Sequence, residues 1–230
     1  MNVHYSYIIA LNVSAILHQS PTFTVVNLHA IWLCATPYYL WRLVLSVHIT
    51  RRCPALTLNF LCSDYIMIIL TGETTGRLLQ YDPATNSTIV LASGLSFPNG
   101  VALSVDGAHV VVAETTRCRL LHHWLRGPGT GTTEPFANLP GYPDNVRRAP
   151  DSGGYHYWVA LNRDKSWLVN GTTPRSVAAV RVHGETGAVT EALRGLGNAT
   201  VSEVVEQPSG ALWLGSVDTP YVGLLKVGDL

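Results

Sequence analysis

Four polar side chains between residues 99 and 203 are of types that could hold a cation or transfer a proton. Asn99 lies in FPNGV, Asp144 and Asn145 lie in the similar YPDNV, and Glu203 lies in VSEVV. Amide and carboxylate oxygens suit a hard cation such as Ca²⁺, and a carboxylate beside apolar residues can transfer protons near neutral pH. The same residues also hydrogen-bond their own backbone in ordinary turns. Residue type alone leaves both roles open.

Each of these segments is followed by a glycine-containing turn and a second, largely apolar strand. The second strands read HVVVAET, YHYWVAL and ALWLGSV. The units recur at roughly 45 to 60 residues, and a repeat of about this length built from short strands indicates a β-propeller blade. Equivalent positions in successive blades lie at equivalent places around one axis. We therefore expect Asn99, Asp144, Asn145 and Glu203 to meet at the mouth of the central channel.

The length of the repeat region limits how much of a ring the chain supplies. Residues 71–230 correspond to about three and a half blades of roughly 45 residues each, and a closed propeller needs at least four blades. The predicted fold is therefore an all-β, partial propeller of about three to four blades. Residues 1–62 are set apart from the fold predicted for 63–230, because they show no blade pattern and contain no acidic residue.

Composition excludes one class of partner. Charged residues make up 13% of the chain, below the ~25% of typical soluble domains, which favours strands buried on both faces. The 15 basic and 15 acidic residues give no net charge. Without a cluster of lysines and arginines, this balance argues against a nucleic-acid surface. A small molecule is the expected partner.

The N-terminal segment is open to three interpretations. Residues 23–49 are apolar enough to be weighed as a membrane span, through which the chain would associate with a membrane. However, His29, Pro37, Arg42 and His48 interrupt the stretch, and a span prefers about 20 apolar residues. The alternatives are an irregular segment and an incorrect start of the gene model. No secretory signal is recognisable, because the first basic residue is Arg42.

Cysteine and asparagine positions bear on the compartment. The four cysteines show no spacing typical of a zinc site, and their pairing cannot be deduced. Glycosylation sequons place candidate acceptors at Asn86, Asn170 and Asn198, with a further sequon at Asn12. They favour a glycoprotein of the secretory pathway, in the vacuole or another part of the endomembrane system. Asn86 is the strongest candidate, because it should lie in an exposed turn between two strands.

From about Ser63 onward, the sequence resembles the plant strictosidine synthase-like family, whose animal relatives include adipocyte plasma-membrane-associated protein and hemomucin. The matching stretches include TGRLLQYDPAT, SFPNGVALSVDG, YWVAL and VSEVVEQPSGALWLGSVDTPYVGLLKV, together with residues 110–148. The resemblance implies a six-bladed β-propeller, of which this chain would carry the C-terminal half and a little more.

The resemblance also implies roles for individual residues. In strictosidine synthase, a glutamate in a segment similar to VSEVVEQ is the general acid/base, which here corresponds to Glu203. The alternative is a structural carboxylate that pairs with Arg147 or Arg148. Glu206, three positions further on, should point to the opposite face and be solvated. Val201 stands where the synthase places a pocket histidine.

A calcium site is implied by a second likeness. Asn99 stands where the synthase carries glycine, and Asp144 has no counterpart there. With Asn145, these residues resemble the calcium-site positions of related six-bladed hydrolases, namely paraoxonase, gluconolactonase and regucalcin. Ca²⁺ is therefore the one cofactor expected, against the alternative of turn residues with no cofactor.

Substrate contacts are expected at Glu114 and Thr115, which end a strand near the channel, and at Val201. Ester or lactone hydrolysis of a small organic substrate is favoured over the condensation of tryptamine with secologanin that defines the synthase. The alternative is a non-catalytic propeller or an inactive fragment. Away from the channel, His122 and His123 are neighbours on a strand, so one should be packed and the other solvated.

Overall fold

The computed structural model describes residues 7–11, 66, 68–82, 85–150, 155–165, 176–194, 196, 200–217 and 219–226. The predicted glycosylation sites Asn170 and Asn198 lie outside these residues, as do three of the four cysteines and the apolar stretch 23–49. Among the described residues, no helix is long and apolar enough to cross a membrane.

The described residues form four antiparallel sheets, each built from strands that follow one another among the described strands. The first sheet contains β1 (Tyr7–Leu11), β2 (Gly76–Asp82) and β3 (Ser87–Leu95). The second contains β4 (Pro98–Leu103), β5 (His109–Glu114), β6 (Arg119–Trp124) and β7 (Thr133–Asn138). The third contains β8 (Gly141–Arg148), β9 (His156–Asp164), β10 (Val177–His183) and β11 (Val189–Arg194). The fourth contains β12 (Glu203–Glu206), β13 (Leu212–Gly215) and β14 (Gly223–Leu225). This arrangement confirms the predicted all-β, partial propeller.

Apolar runs in the central strands are explained by burial on both faces. Along β5, Val110 and Val112 pack with Leu78 of the first sheet, whereas Val111 packs with Val159 of the third sheet. Because neighbouring side chains on a strand point to opposite faces, one strand contributes to two cores. A third core lies between the last two sheets. The sheets are therefore stacked face to face through apolar side chains.

The first strands of the second, third and fourth sheets lie side by side, with β4 against β8 and β8 against β12. Gly100 shows how close β4 and β8 are. A Cβ at this position would lie 2.6 Å from both the Asn145 Cα and the Val146 N atom, which are backbone atoms that cannot rotate away. Glycine is therefore required where the two strands approach each other.

One strand of the N-terminal segment belongs to a sheet. Residues 1–62 were predicted to lie outside the fold, and within them Tyr7–Leu11 pairs antiparallel with β2 along its whole length. A five-residue strand can join a sheet edge through backbone hydrogen bonds alone. For that reason, the absence of a repeat pattern in the N-terminal segment did not exclude it.

Candidate functional site

The repeated sequences FPNGV and YPDNV produce the same backbone irregularity in two neighbouring sheets. In the segment 98–101, β4 has one residue more than β5 between paired positions. In the segment 143–146, β8 has one residue more than β9. An extra residue of this kind is a β-bulge, which bends the strand and changes the direction of its side chains. Both bulges contain the polar residues that the sequence places at the channel mouth.

Asp144 is the residue that connects the site. Its carboxylate accepts hydrogen bonds from the side chains of Asn99 and Asn162, and it is close enough to Glu203 for the two negative charges to interact. Burial raises the pKa of Asp144 to about 7, and the Glu203 charge adds to this effect. Residues from β4, β8, β9 and β12 thus meet around one carboxylate.

Two oxygen atoms of the site are buried without a hydrogen-bond partner among the described residues. They are the Asn145 Oδ1 atom and the Glu203 Oε1 atom. A backbone hydrogen bond of 3.2 Å from the Asn145 N–H to the Ser202 carbonyl connects the two strands that carry them. Buried polar atoms are rarely left unsatisfied in folded proteins, so these two oxygens are available to a cation or to a further hydrogen-bond donor.

Glu203 forms the ion pair that was the alternative to its catalytic role. The Arg147 Nη2 atom donates to Glu203 Oε2 at 2.6 Å, and this contact leaves Oε1 without a partner. Burial raises the pKa of Glu203, and Arg147 opposes that effect. The ion pair and a proton-transfer role are therefore compatible, because each uses a different oxygen of the carboxylate.

The three predicted substrate contacts are buried in protein contacts. Thr115 donates its hydroxyl to the Pro143 carbonyl at 2.6 Å, and thus connects β5 to the strand that carries Asp144. Val201 packs in the core between the third and fourth sheets. Glu114 accepts hydrogen bonds at both oxygens, from the Ser96 N–H and from Arg119. All three side chains are therefore engaged by other protein groups, and Thr115 supports the strand that carries Asp144.

Several polar residues differ from expectation or were missed. Glu206, predicted to be solvated, is half-buried, and its Oε2 atom accepts a hydrogen bond of 2.9 Å from Trp158 Nε1. His122 and His123 are both buried, since both faces of β6 are covered by neighbouring sheets. Asn162, the second amide on Asp144, was missed. The sequence did contain a signal for Asn162. It follows the apolar residues of β9, just as Thr115 follows those of β5 in the preceding sheet.

The donor set fits a hard cation. Among the described residues, no group of three or more His, Cys, Asp or Glu side chains is placed to hold a metal. The site instead combines two carboxylates, Asp144 and Glu203, with the amides of Asn99 and Asn145. All of these are oxygen ligands of the kind that Ca²⁺ prefers, and two of the oxygens are orphaned.

Two further residues bear on the glycosylation and cysteine predictions. Asn86 is exposed in the turn between β2 and β3 and has a φ angle of 51°. Cys118 is a buried free thiol, and burial raises its pKa to about 11. A thiol with so high a pKa is protonated at neutral pH and unreactive.

Comparisons with known proteins identify relatives over about 70% of the chain. The family model described as strictosidine synthase matches residues 57–128. Protein STRICTOSIDINE SYNTHASE-LIKE 10 of Arabidopsis thaliana is 36% identical, over 70% of this chain and 50% of the relative. Protein STRICTOSIDINE SYNTHASE-LIKE 2 of the same plant is 36% identical, over 71% of this chain and 52% of the relative. The chain spans about half the length of these curated relatives.

Solved structures with a partial likeness include a gluconolactonase from Xanthomonas campestris and a calcium-binding regucalcin from Agrobacterium tumefaciens. The first has a TM-score of 0.47 and 17% identity, over 62% of this chain and 42% of that one. The second has a TM-score of 0.47 and 18% identity, over 64% of this chain and 46% of that one. On the family model and the plant relatives, this chain belongs to the strictosidine synthase-like family.

Proposed function

We propose that the chain hydrolyses an ester or lactone of a small organic substrate at the mouth formed by β4, β8 and β12. The observation that supports this best is the pair of buried, unpartnered oxygens on Asn145 and Glu203 beside Asp144. A site with orphaned acceptors and two carboxylates of raised pKa is suited to binding a cation and moving protons.

Asn99, Asp144 and Asn145 are the residues that would hold Ca²⁺. The cation would satisfy the orphaned Asn145 oxygen and offset the repulsion between Asp144 and Glu203. When bound, Ca²⁺ would supply a Lewis acid that polarises the carbonyl oxygen of the substrate. Asn162 would keep the Asp144 carboxylate oriented through its hydrogen bond.

Glu203 would transfer the proton. Its Oε1 atom would take a proton from water as the water oxygen bonds to the carbonyl carbon. The bond from that carbon to the leaving oxygen then breaks, and Glu203 returns the proton to the alcohol. Arg147 would hold the other oxygen, Oε2, so that Oε1 stays directed into the site. Burial raises the pKa of Glu203, and a carboxyl group with a raised pKa both accepts and donates a proton more readily near neutral pH.

Condensation of tryptamine with secologanin is not part of the proposal. Val201 occupies the position that corresponds to the pocket histidine of the synthase, and its side chain is 3% exposed in an apolar core. It offers neither an imidazole nor a surface to a substrate.

The test combines calcium titration with turnover of a panel of aryl esters and lactones. Calcium should raise the melting temperature after treatment with EGTA, and it should restore hydrolysis. N99A and D144A should lose both effects, whereas N138A, which changes an exposed asparagine at the end of β7, should lose neither. If a folded sample shows no stabilisation by calcium and no turnover, the non-catalytic alternative replaces this proposal.

We also propose that the chain passes through the secretory pathway to the vacuole or another endomembrane compartment. Asn86 supports this, because it is an exposed sequon asparagine in a turn. In plant cells, treatment with an endoglycosidase should lower the apparent mass of the protein. The N86Q variant should show a smaller change than the unmodified sequence, and an equal change would exclude Asn86 as an acceptor.

A further inference from the structure

A buried carboxylate organises a cationic cluster at the end of the second sheet. Glu114 is 2% exposed. Its Oε1 atom accepts the Ser96 N–H at 2.8 Å, and its Oε2 atom accepts from Arg119 Nε. The Glu114 charge is thus satisfied by one backbone donor and one guanidinium. Arg117 is the third charged member of the cluster. One carboxylate and two guanidinium groups give the cluster one excess positive charge.

Arg117 is held in place, yet its donors remain available. Its Nε atom donates to the Ser96 hydroxyl at 3.0 Å and lies 4.0 Å from Glu114 Oε1. The side chain is 49% exposed, and its terminal N–H groups make no hydrogen bond to the described residues. An oriented guanidinium with free N–H groups matches the two oxygens of a carboxylate, and the orientation lowers the entropy lost on binding.

The turn that carries Arg117 is fixed beside the candidate site. At its start, the Thr115 N–H donates to the Phe97 carbonyl, two residues before Asn99. The Thr115 hydroxyl donates to the Pro143 carbonyl, next to Asp144. With strands about 4.8 Å apart, the turn between β5 and β6 lies roughly 5 to 10 Å from β4. A substrate of one or two rings could reach from the Asn99 and Asp144 region to Arg117.

Two further charged residues lie near the turn. Lys165 and Asp164 act on the thiol of Cys118, the last residue of the turn, with opposite signs. As one cation and one anion they add no net charge, so the excess positive charge of the cluster is that of Arg117.

We propose that Arg117, supported by Glu114, Ser96 and Arg119, forms a binding site for a carboxylate group of the substrate. The inference rests on the proposed hydrolase function and narrows its substrates to esters or lactones that carry an anionic substituent. Hydrolysis takes place at the Asp144 and Glu203 site, and Arg117 contributes to binding and orientation only.

A matched pair of substrates tests the inference. 4-Acetoxybenzoate carries the carboxylate, and 4-acetoxybenzamide replaces it with a neutral amide of similar shape. We expect kcat/KM to favour the benzoate about ten- to hundredfold, the scale of a hydrogen bond to a charged group. R117Q should remove this preference mainly through KM, and R117K should keep part of it. R148Q, which changes an exposed arginine at the far end of β8, should leave it intact.

Binding measurements separate this inference from the proposed function. If neither ester is hydrolysed, calorimetry is used to measure the dissociation constants of 4-hydroxybenzoate and 4-hydroxybenzamide. These two values then decide whether the anion site exists. A preference for the benzoate that disappears in R117Q supports the anion site even where the hydrolase proposal fails. Equal binding of the two compounds, no binding of either, or a preference that persists in R117Q overturns the anion site. Circular dichroism confirms that each variant is folded.

Discussion

Replacing Asp144 by asparagine should stabilise the calcium-free protein while removing its calcium response. In the folded chain, burial raises the pKa of Asp144 from 3.8 to about 7, and the negative charge of Glu203 adds to the effect. The hydrogen bonds from Asn99 and Asn162 oppose it without cancelling it. Asparagine has nearly the same shape and cannot ionise, so D144N removes a buried charge that the Glu203 carboxylate destabilises further.

The sign and size of the effect follow from proton linkage. Because the folded-state pKa lies above the unfolded value, the folded state binds this proton more tightly. The corresponding stability is fully present below pH ~4 and is lost as the pH rises through about 7. A shift of roughly 3 pH units corresponds to at most about 4 kcal/mol. The solvent that reaches this partly exposed side chain reduces it, and we expect about 2–3 kcal/mol, or roughly 4–12 °C in melting temperature.

The assay is thermal denaturation of both proteins in EGTA between pH 4.5 and 9. D144N should melt at a higher temperature than the unmodified chain at pH 8, and the difference should shrink towards pH 4.5. Added calcium should raise the melting temperature of the unmodified chain only. D106N is the matched control, because hydrogen bonds from Ser104 and the Ala108 N–H lower the pKa of Asp106. It should not stabilise at pH 8. A lower melting temperature for D144N than for the unmodified chain at pH 8 in EGTA would refute the reasoning.

Three further outcomes are expected. G100A should lower the melting temperature by roughly 2–12 °C, because the added Cβ overpacks against the β8 backbone. G223A should change it little, since the nearest neighbour atom of its added Cβ is 3.4 Å away. Equal effects of the two variants would contradict the close approach of β4 and β8. E203Q should keep the fold and lose ~10²-fold or more of any esterase turnover, and unchanged turnover would leave Glu203 as a structural carboxylate. Burial lowers the pKa of His122 to about 4, so stability should be lost as the pH falls from 6.5 towards 4. H122F should reduce this loss when unfolding in urea is measured across that pH range. An identical pH dependence in H122F would exclude His122 as the source of the loss.

The repeat encodes equivalent strand positions for the candidate site residues. FPNGV and YPDNV place Asn99 and Asp144 at equivalent points of the first strands, and Glu203 begins the equivalent strand of the next sheet. The two β-bulges could not be predicted. A bulge depends on how many residues the partner strand offers between paired positions, and that number appears only when the sheet forms.

Side-chain environments were harder to predict than strand positions. Alternation along β6 suggested one solvated histidine, but a neighbouring sheet covers each face, so both His122 and His123 are buried. Glu114 ends its strand near the channel, yet Ser96 and Arg119 engage both of its oxygens. Such contacts join residues far apart in sequence, and no local pattern reveals them.

The side-by-side packing of β4, β8 and β12 has a consequence for folding. The groups around Asp144 are supplied by three sheets and are spread from Asn99 to Glu203 along the chain. No single sheet carries all of these groups, so they come together only after the last of the three sheets has docked. Contacts of this sequence separation form slowly. A ligand that contacts groups from all three sheets would therefore bind only molecules in which all three have docked. Its binding would report the last step of folding and would stabilise the native state relative to partly docked intermediates.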